Sequence, residues 1–278
     1  MKNLVLRILT GIVFVSVLLG SILYNEYSYA VVLGLISVLA LIEFYGLIEA
    51  HAQVRISKWL NVVGGACLFI GSFLFFSGTN TSLIVLIPYA CYYLILFVSE
   101  LYLKRPNPLQ SLAYSVLGQL YIAVPYSLLS YIAFNYESDG AYHYAYILAL
   151  FLFIWINDSF AYLFGVSLGK HRMFERISPK KSWEGFAGGA LCTIIASVVF
   201  ANYFVMLNII GWIGFAVIVV ACGTLGDLVE SLFKRTLNVK DSGKMLPGHG
   251  GILDRFDSMI FAIPSLFIYL ETLKFFQQ

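Results

Sequence analysis

Charged residues are scarce in this chain of 278 residues, because Asp, Glu, Lys and Arg together make up only 12% of it. Soluble proteins carry roughly 25% charged residues, so the composition excludes an ordinary soluble globular domain. The sequence also lacks the HExxH motif of zinc proteases and the CxxC motif of dithiol redox enzymes. The four cysteines lie singly within apolar runs, which indicates small buried side chains rather than a disulfide framework or a zinc site.

Hydrophobic residues fill 60% of the chain and group into runs long enough to cross a membrane. A hydrocarbon core of ~30 Å takes roughly 20 helical residues to span. The runs lie near residues 4–24, 29–49, 59–77, 82–102, 111–134, 144–168, 186–206, 209–229 and 258–275. They predict an all-α polytopic membrane protein with nine transmembrane helices, the first being an uncleaved span rather than a signal peptide. Because no repeat, low-complexity tract or hydrophilic linker interrupts them, we expect residues 1–278 to form a single integral membrane domain.

The basic residues predict the orientation, since Lys and Arg in short loops mark the cytoplasmic side of a membrane. With the N-terminus in the cytoplasm and the C-terminus outside, 16 of the 17 basic residues fall inside and only Lys274 falls outside. The residues on the inside are Lys2, Arg7, Arg55, Lys58, Lys104, Arg105, Lys170, Arg172, Arg176, Lys180, Lys181, Lys234, Arg235, Lys240, Lys244 and Arg255. Chemistry on charged substrates is therefore expected at the cytoplasmic face, where residues 169–185 and 234–257 form the two richest loops.

The end of the eighth run carries polar and charged side chains on one helical face. Residues three or four positions apart lie on the same side of a helix. The residues that share this face are Asp227, Glu230, Ser231 and Lys234. An acidic pair near the inner end of a membrane helix is costly unless it faces the bundle interior, a cavity or a cation. The alternative interpretation is an interfacial helix end with solvated charges and an internal Glu–Lys pair.

Residues 240–257, KDSGKMLPGHGGILDRFD, combine glycines with carboxylates and basic side chains. The glycines allow backbone amides to approach phosphate oxygens closely, and His249 can donate to such an oxygen. Asp254 and Asp257, together with Asp227, supply hard oxygen ligands that suit Mg²⁺. The neighbouring bases, which suit a polyphosphate, are Lys234, Arg235, Lys240 and Lys244. This combination is typical of phosphoryl or nucleotidyl transfer, and the alternative is a flexible basic loop attracted to anionic lipid.

The other rich loop contains SPKKSWEG at residues 178–185, in which Pro179 stiffens a turn and two lysines lie beside an interfacial tryptophan. Such a segment can hold a lipid phosphate at headgroup level, and the alternative is a general anchor for anionic lipid. Asp158 lies deep in the sixth run. A carboxylate at that depth is a candidate for a functional site, or else a partner in a hydrogen bond between helices.

Two further carboxylates and two glycine pairs are expected to be structural. Glu43 and Glu100 lie near Arg55 and Arg105 in the sequence, so ordinary ion pairing or snorkelling is expected of them. The glycines expected at close helix-packing positions are Gly165, Gly169, Gly185 and Gly189.

Residues 231–257, SLFKRTLNVKDSGKMLPGHGGILDRFD, resemble the C-terminal signature of the phosphatidate cytidylyltransferases, or CDP-diacylglycerol synthases. SPKKSWEG and the run DSFAY at residues 158–162 are similar to further features of that family, whereas residues 1–140 match it only as generic spans. The resemblance implies that CTP and phosphatidate give CDP-diacylglycerol and pyrophosphate in phospholipid biosynthesis, with Mg²⁺ and with K⁺ as a second metal. It also implies a homodimer in the bacterial cytoplasmic membrane, with membrane lipid but no nucleic acid as a partner and the active site facing the cytoplasm.

The resemblance assigns roles to individual residues as well. The implied metal ligands are Asp227 and Asp254, supported by Asp257 and Asp158. The residues implied in catalysis are Asp227, Lys234, Arg235, Lys240, Asp241, His249, Asp254 and Asp257. The residues implied in substrate binding are Ser178, Lys180, Lys181, Gly250 and Gly251. Within this scheme the bases of residues 234–249 hold the triphosphate of CTP, and residues 178–181 hold the phosphate of phosphatidate.

Two other functions stay open on the sequence alone. A CTP-dependent lipid kinase of the polyprenol or phytol type uses similar machinery but attacks the γ-phosphorus of CTP. An ion transporter uses intramembrane carboxylates such as Asp158 and Asp227 as relays. The Gly-His-Gly-Gly sequence and the concentration of charge on one membrane face favour cytidylyl transfer, with the catalytic half of the chain at about residues 144–278.

Overall fold

The structure is a computed structural model that describes residues 2–134, 141–243, 245 and 250–277, with side chains described from residue 9 to residue 276 of these. The described residues form ten α-helices and one β-hairpin. The helices are α1 (Lys2–Tyr24), α2 (Glu26–His51), α3 (Lys58–Phe76), α4 (Ile87–Leu103), α5 (Pro108–Gly118), α6 (Val124–Phe134), α7 (Tyr144–Leu168), α8 (Trp183–Ala201), α9 (Ile209–Thr236) and α10 (Leu253–Gln277). The strands β1 (Arg172–Phe174) and β2 (Ser178–Ser182) pair antiparallel. A 3₁₀ turn (Leu83–Leu86) precedes α4, and a π-helical turn (Gln119–Ala123) joins α5 to α6.

Long apolar helices dominate the chain, which confirms the predicted all-α polytopic membrane class. Within the described residues, eight helical stretches are long and apolar enough to cross a membrane, with Leu83–Leu103 and Pro108–Phe134 each counted as one stretch. The described part of the first helix, Leu9–Tyr24, is a shorter apolar one. Each of the nine predicted runs coincides with one of these stretches. The orientation of the termini stays a prediction.

The helices on either side of the glycine-rich loop are longer than predicted. Helix α9 runs to residue 236 and carries Lys234 and Arg235 in its last turn, where cations interact favourably with the negative end of the helix dipole. Helix α10 begins at residue 253 and carries Asp254 in its first turn, where an anion is favoured for the same reason. Residues 234–236 and 253–257, which were predicted to lie in a loop, therefore belong to these helices.

Contacts within the chain separate it into two compact units. Unit 1 comprises Met1–Tyr144 and Thr236–Phe256, and unit 2 comprises Ala145–Arg235 and Asp257–Gln278. Unit 2 begins close to the predicted start of the catalytic half, whereas the residues between α9 and α10 belong to unit 1. The single integral membrane domain stays a prediction.

A buried polar network fixes the core of unit 1. The Gln119 Nε2 group donates to the Tyr45 hydroxyl (3.0 Å) and to the Asn61 backbone carbonyl (2.8 Å). The Tyr45 hydroxyl donates in turn to the Ser115 carbonyl at 2.7 Å. Polar side chains commonly join membrane helices in this way. Because these bonds tie α2 to α3 and α5, they also fix the position of Glu43, which precedes Tyr45 on α2.

A second polar cluster in unit 1 surrounds a buried ion pair. The Arg105 Nη1 atom lies 2.5 Å from Glu100 Oε1, and its Nη2 atom donates to Ser57 Oγ at 2.8 Å. Ser111 Oγ donates to the same Glu100 oxygen at 2.8 Å. The prediction that Glu100 pairs with Arg105 is confirmed.

Aromatic packing forms the core of unit 2. The ring of Trp212 on α9 lies 4.8 Å from that of Phe200 on α8 and 5.7 Å from that of Tyr146 on α7, measured between centroids. The indole Nε1 group of Trp212 donates to the Phe204 carbonyl at 2.7 Å, so its polar atom is satisfied in the apolar interior. These contacts hold α7, α8 and α9 together as the frame of the site described next.

Candidate functional site

The hairpin β1–β2 connects α7 to α8 in unit 2, where the sequence predicted only a basic loop. Arg172 on β1 is paired with Ser182 on β2. The Ser182 hydroxyl then accepts a hydrogen bond from the Gly185 amide (3.1 Å) and caps the start of α8. Helix α8 therefore begins at residue 183, three residues before the predicted span. Lys180 and Lys181 consequently lie on an ordered strand.

The Glu184 carboxylate closes the base of this hairpin. It accepts hydrogen bonds from the backbone amides of Lys170 (3.1 Å) and His171 (3.2 Å). Its Oε1 atom also lies 2.6 Å from His171 Nδ1. The first turn of α8 is thus joined to the residues that follow α7, which fixes both ends of the hairpin.

Helices α7 and α8 pack closely through their glycines. A Cβ atom on Gly185 would lie 2.7 Å from the Ala161 carbonyl oxygen and 3.2 Å from the Gly165 Cα atom. A Cβ atom on Gly189 would lie 2.8 Å from the Asn157 carbonyl oxygen. Real Cβ atoms essentially never lie within 3.0 Å of another atom, so close helix packing is confirmed at Gly185 and Gly189, and Gly165 lies opposite Gly185. Gly169 follows the end of α7, and a Cβ atom there would lie 2.7 Å from Ser182 Oγ in the hairpin. This packing places Asp158 on α7 beside the hairpin.

A cavity of about 250 Å³ lies among α7, α8, α9 and the hairpin. Its charged lining consists of two carboxylates and two lysines, namely Asp158, Asp227, Lys180 and Lys181. Apolar walls come from Tyr162, Met173 and Phe186. Pockets that enclose a whole drug-sized ligand usually measure ~300–1,000 Å³. The cavity therefore has room for the phosphate groups of a larger ligand rather than for all of it.

An ion pair crosses this cavity from the hairpin to α9. The Lys181 Nζ atom lies 2.6 Å from Asp227 Oδ2, and Ser231 Oγ donates to Asp227 Oδ1 at 3.2 Å. The Asp158 carboxylate is close enough to experience repulsion from Asp227 and attraction to Lys181. The cavity thus presents two like charges that share one lysine, which is an arrangement suited to binding a cation.

The end of α9 concentrates further charge. Glu230 forms the ion pair with Lys234 that the alternative interpretation of this helix end expected, but Glu230 is almost fully buried rather than solvated. The Asp257 carboxylate on α10 is close enough to be repelled by Asp227 and Glu230. Three carboxylates in unit 2 therefore lie near one another, and the lysines that oppose them are Lys181 and Lys234.

Asp254 organises the glycine-rich segment within unit 1. Its carboxylate accepts hydrogen bonds from the Ser242 amide (2.9 and 3.1 Å) and from the Gly251 amide (3.0 Å). The backbone at Gly250 has a φ of 88°, a left-handed conformation that glycine adopts without strain. Besides its expected role as a metal ligand, Asp254 therefore holds the shape of this segment.

Glu43 makes contacts that the sequence did not indicate. Its Oε2 atom accepts hydrogen bonds from the Leu253 amide (2.9 Å) and from Ser242 Oγ (3.2 Å). The expected ion pair with Arg55 is wrong, because the Glu43 carboxylate faces the glycine-rich segment instead. The one signal for such a role was a carboxylate in the middle of an apolar run, and its nearest base in the sequence suggested the wrong partner.

The structure brings together only some of the predicted site residues. Four of them line the cavity, as described, and Ser178 begins β2 outside the lining. Exposed residues of the predicted set are Asp158 and Lys180 in the cavity lining, and Arg235, Lys240 and Asp241 outside it. The members placed in unit 1 at the glycine-rich segment are Gly250, Gly251 and Asp254. His249 and Lys244 lie outside the described residues. The cavity also contains the buried amide of Asn157, to which the sequence assigned no role.

The donor atoms of the cavity can be tested against a metal ion. Among the residues that the structure describes, no group of three or more His, Cys, Asp or Glu side chains is arranged to hold one. Mg²⁺ does not need such a cage, because it is usually bound through one or two carboxylates together with substrate phosphates and water. Asp158 and Asp227 supply that number of carboxylates in one cavity. They fit Mg²⁺ that arrives with a phosphate ligand, and do not fit a closed structural metal site.

Comparisons with known proteins identify one enzyme family and two bacterial relatives that the chain resembles. The model of the cytidylyltransferase family matches residues 5–273. A phosphatidate cytidylyltransferase of Staphylococcus aureus (strain COL) is 36% identical over 270 residues, which cover 96% of this chain and 90% of that protein. A phosphatidate cytidylyltransferase of Staphylococcus haemolyticus (strain JCSC1435) is 45% identical over 164 residues, or 58% of this chain and 57% of that protein.

Proposed function

Because the chain belongs to the cytidylyltransferase family, we propose that it transfers the cytidylyl group of CTP to phosphatidate, giving CDP-diacylglycerol and pyrophosphate. The observation that carries this proposal is the cavity in unit 2, where two carboxylates face two lysines in a membrane-embedded frame. Anionic reactants need such a mixture of charges, because the lysines attract phosphate while the carboxylates hold a cation. All four residues lie within the stretch that matches the family.

The reaction is a displacement at the α-phosphorus of CTP. A phosphate oxygen of phosphatidate forms the new bond to this phosphorus, and the bond from it to the bridging α–β oxygen breaks. Pyrophosphate leaves with the electron pair of that bond. The attacking phosphate is an anion at neutral pH, so the reaction needs no strong general base. It needs relief from the repulsion between two anionic reactants, which positioned charges supply.

The cavity residues have separate parts in this proposal. Lys180 and Lys181 bind and orient the phosphate of phosphatidate at headgroup level. Asp158 and Asp227 hold the divalent metal that cytidylyltransferases generally use, which we propose to be Mg²⁺. A metal held by these two carboxylates would supply neutralisation of phosphate charge. Tyr162 and Phe186 supply apolar walls beside these charges.

The remaining assignments from the sequence are part of the same proposal. The bases at the end of α9 and beyond it, with His249, bind the triphosphate of CTP. Asp254 and Asp257 serve as further carboxylates for metal binding, and K⁺ serves as a second metal.

The protein is an integral membrane protein, which we place in a bacterial cytoplasmic membrane as a homodimer with its active site facing the cytoplasm. The basic residues concentrated on one predicted side support that orientation.

The proposal is tested with purified protein in mixed micelles that contain phosphatidate, CTP and Mg²⁺. We expect pyrophosphate and a cytidine-containing lipid to form in equal amounts, and both to disappear when the divalent metal is chelated. Release of CDP in place of pyrophosphate would show attack on the γ-phosphorus, as in the lipid kinase alternative. The absence of any lipid product from folded protein would also overturn the proposal.

A further inference from the structure

Glu43 is a buried carboxylate in the middle of α2, with only 6% of its surface exposed. Its Oε2 atom accepts hydrogen bonds from the Leu253 amide (2.9 Å) and Ser242 Oγ (3.2 Å). Its Oε1 atom is buried and has no hydrogen-bond partner among the described residues. A carboxylate buried with so few partners costs free energy. Ionisable residues kept within membrane helices at that cost usually serve a function.

The two groups that Glu43 contacts also hold Asp254. The Ser242 hydroxyl, which donates to Glu43, accepts a hydrogen bond from the Asp254 amide at 3.3 Å. The Ser242 amide donates to both oxygens of the Asp254 carboxylate. Leu253 is the chain neighbour of Asp254, and its amide is bound directly to Glu43. Glu43 therefore constrains Asp254 through the residue before it and through the serine that binds its carboxylate.

The glycine-rich segment is shaped to accommodate the Glu43 side chain. A Cβ atom on Gly243 would lie 2.8 Å from Glu43 Cδ, and one on Gly251 would lie 2.6 Å from Glu43 Oε2. A side chain at either position would force the segment or the Glu43 carboxylate to shift. The two glycines and Ser242 thus surround Glu43 from the C-terminal part of unit 1, about 200 residues away along the chain.

We infer that Glu43 is a positioning residue for the proposed cytidylyl transfer. Its carboxylate sets the place of Ser242 and Leu253, and through them it fixes the orientation of the Asp254 carboxylate. Glu43 itself contacts no substrate in this account. The inference rests on the proposed function for its effect on catalysis, while its effect on the segment of residues 242–254 is independent of that function.

Two substitutions of Glu43 separate positioning from a general need for a side chain of this volume. Glu43→Gln keeps an oxygen that can accept from Leu253 and Ser242, whereas Glu43→Leu removes both acceptors and leaves a buried amide unsatisfied. We expect kcat to stay within about threefold of wild type for the first variant and to fall by about tenfold or more for the second. The KM for CTP and that for phosphatidate should change little. Glu49→Gln is the matched control, because Glu49 lies exposed on the same helix.

Hydrogen exchange supplies a measurement that does not depend on activity. Backbone amides of residues 242–254 should exchange faster in Glu43→Leu than in Glu43→Gln or Glu49→Gln, while the amides of α3 stay protected in all of them. If Glu43→Leu does not fold, Ser242→Ala removes the other half of the same contact and should show the same pattern. The inference would be overturned if Glu43→Leu had the same hydrogen exchange and the same kcat as wild type. The same result for Ser242→Ala would overturn it where that variant replaces Glu43→Leu. Equal losses of kcat in Glu43→Gln and Glu43→Leu, accompanied by general unfolding of both variants, would also overturn it. If wild type has no activity with CTP and phosphatidate, the proposed function fails, and the exchange result still decides whether Glu43 holds the segment.

Discussion

The Lys181 ammonium group lies 2.6 Å from the Asp227 carboxylate and joins the hairpin to α9 across the cavity of unit 2. Both side chains are about three-tenths exposed, and pairs with this exposure contribute only about 0–1 kcal/mol to stability. The pair is therefore expected to add little to the stability of the fold. The proposed function predicts that Lys181 releases Asp227 to a metal and turns to an arriving phosphate.

Substitution of Lys181 tests this exchange of partners. Lys181→Gln should raise the apparent KM for phosphatidate several-fold, since a lysine near a headgroup contributes on the order of 1 kcal/mol to its capture. The measurement is initial rate in mixed micelles, with the mole fraction of phosphatidate varied independently of CTP. Lys58→Gln, which removes a lysine of unit 1, is the control for loss of positive charge. An unchanged phosphatidate dependence in Lys181→Gln would remove this residue from the lipid site.

Asp227 is predicted to be indispensable for turnover but not for folding. Asp227→Asn keeps the shape of the side chain and removes its charge, so it should lower kcat by at least tenfold through the loss of metal binding, while the melting temperature changes little. Glu175→Gln serves as control, because Glu175 is exposed at the tip of the hairpin. A folded Asp227→Asn variant with more than about a tenth of wild-type activity would contradict the assignment. A variant that fails to fold would instead indicate a structural carboxylate.

The positions of the membrane spans could be predicted from the sequence, because each apolar run has the length that a helix needs to cross a bilayer. The same patterns predicted that Asp158 and the residues of SPKKSWEG are functional, and the structure places Asp158, Lys180 and Lys181 in one cavity. The depth of Asp158 was the useful signal, since a carboxylate there is costly without a purpose.

Other features could not be predicted because they depend on contacts between distant parts of the chain. Glu43 was assigned to Arg55, twelve residues away, whereas its partners Ser242 and Leu253 lie 199 and 210 residues away. The hairpin was missed because its strands are short and polar, with no alternating apolar pattern. The apolar run of α9 ended at residue 229 because the next turns carry charged residues, which reduce hydropathy without breaking a helix, and the structure extends the helix two residues beyond Lys234.

Close packing of α7 and α8 predicts that a single methyl group at Gly185 is damaging. Because the Cβ atom would lie 2.7 Å from the Ala161 carbonyl oxygen, Gly185→Ala should destabilise the fold by about 1–3 kcal/mol and displace Asp158. Gly20→Ala is the matched control, since a Cβ atom there meets nothing within 4 Å and alanine favours a helix. Thermal unfolding in detergent compares the two variants. Equal stability would show that the helices can separate without cost.

The predicted orientation in the membrane is tested by labelling introduced cysteines in intact cells. Thr79→Cys, in the turn after α3, should react with a membrane-impermeant reagent added outside. Glu175→Cys, in the hairpin, and Lys104→Cys, after α4, should react only after the membrane is opened. The native cysteines are replaced in all three variants, so that only the introduced thiol reports. External labelling at residue 175 would place the cavity on the wrong side for a cytoplasmic nucleotide.

The fate of the phosphorus atoms of CTP tests the central claim most directly. Purified protein is incubated with vesicles that contain phosphatidate, Mg²⁺ and CTP carrying a radioactive label either at the α- or at the γ-phosphorus. Cytidylyl transfer predicts that the α-label enters the lipid phase while the γ-label is recovered only in aqueous pyrophosphate. Label from the γ-phosphorus in the lipid phase, or an unlabelled lipid phase with either substrate, would contradict the account.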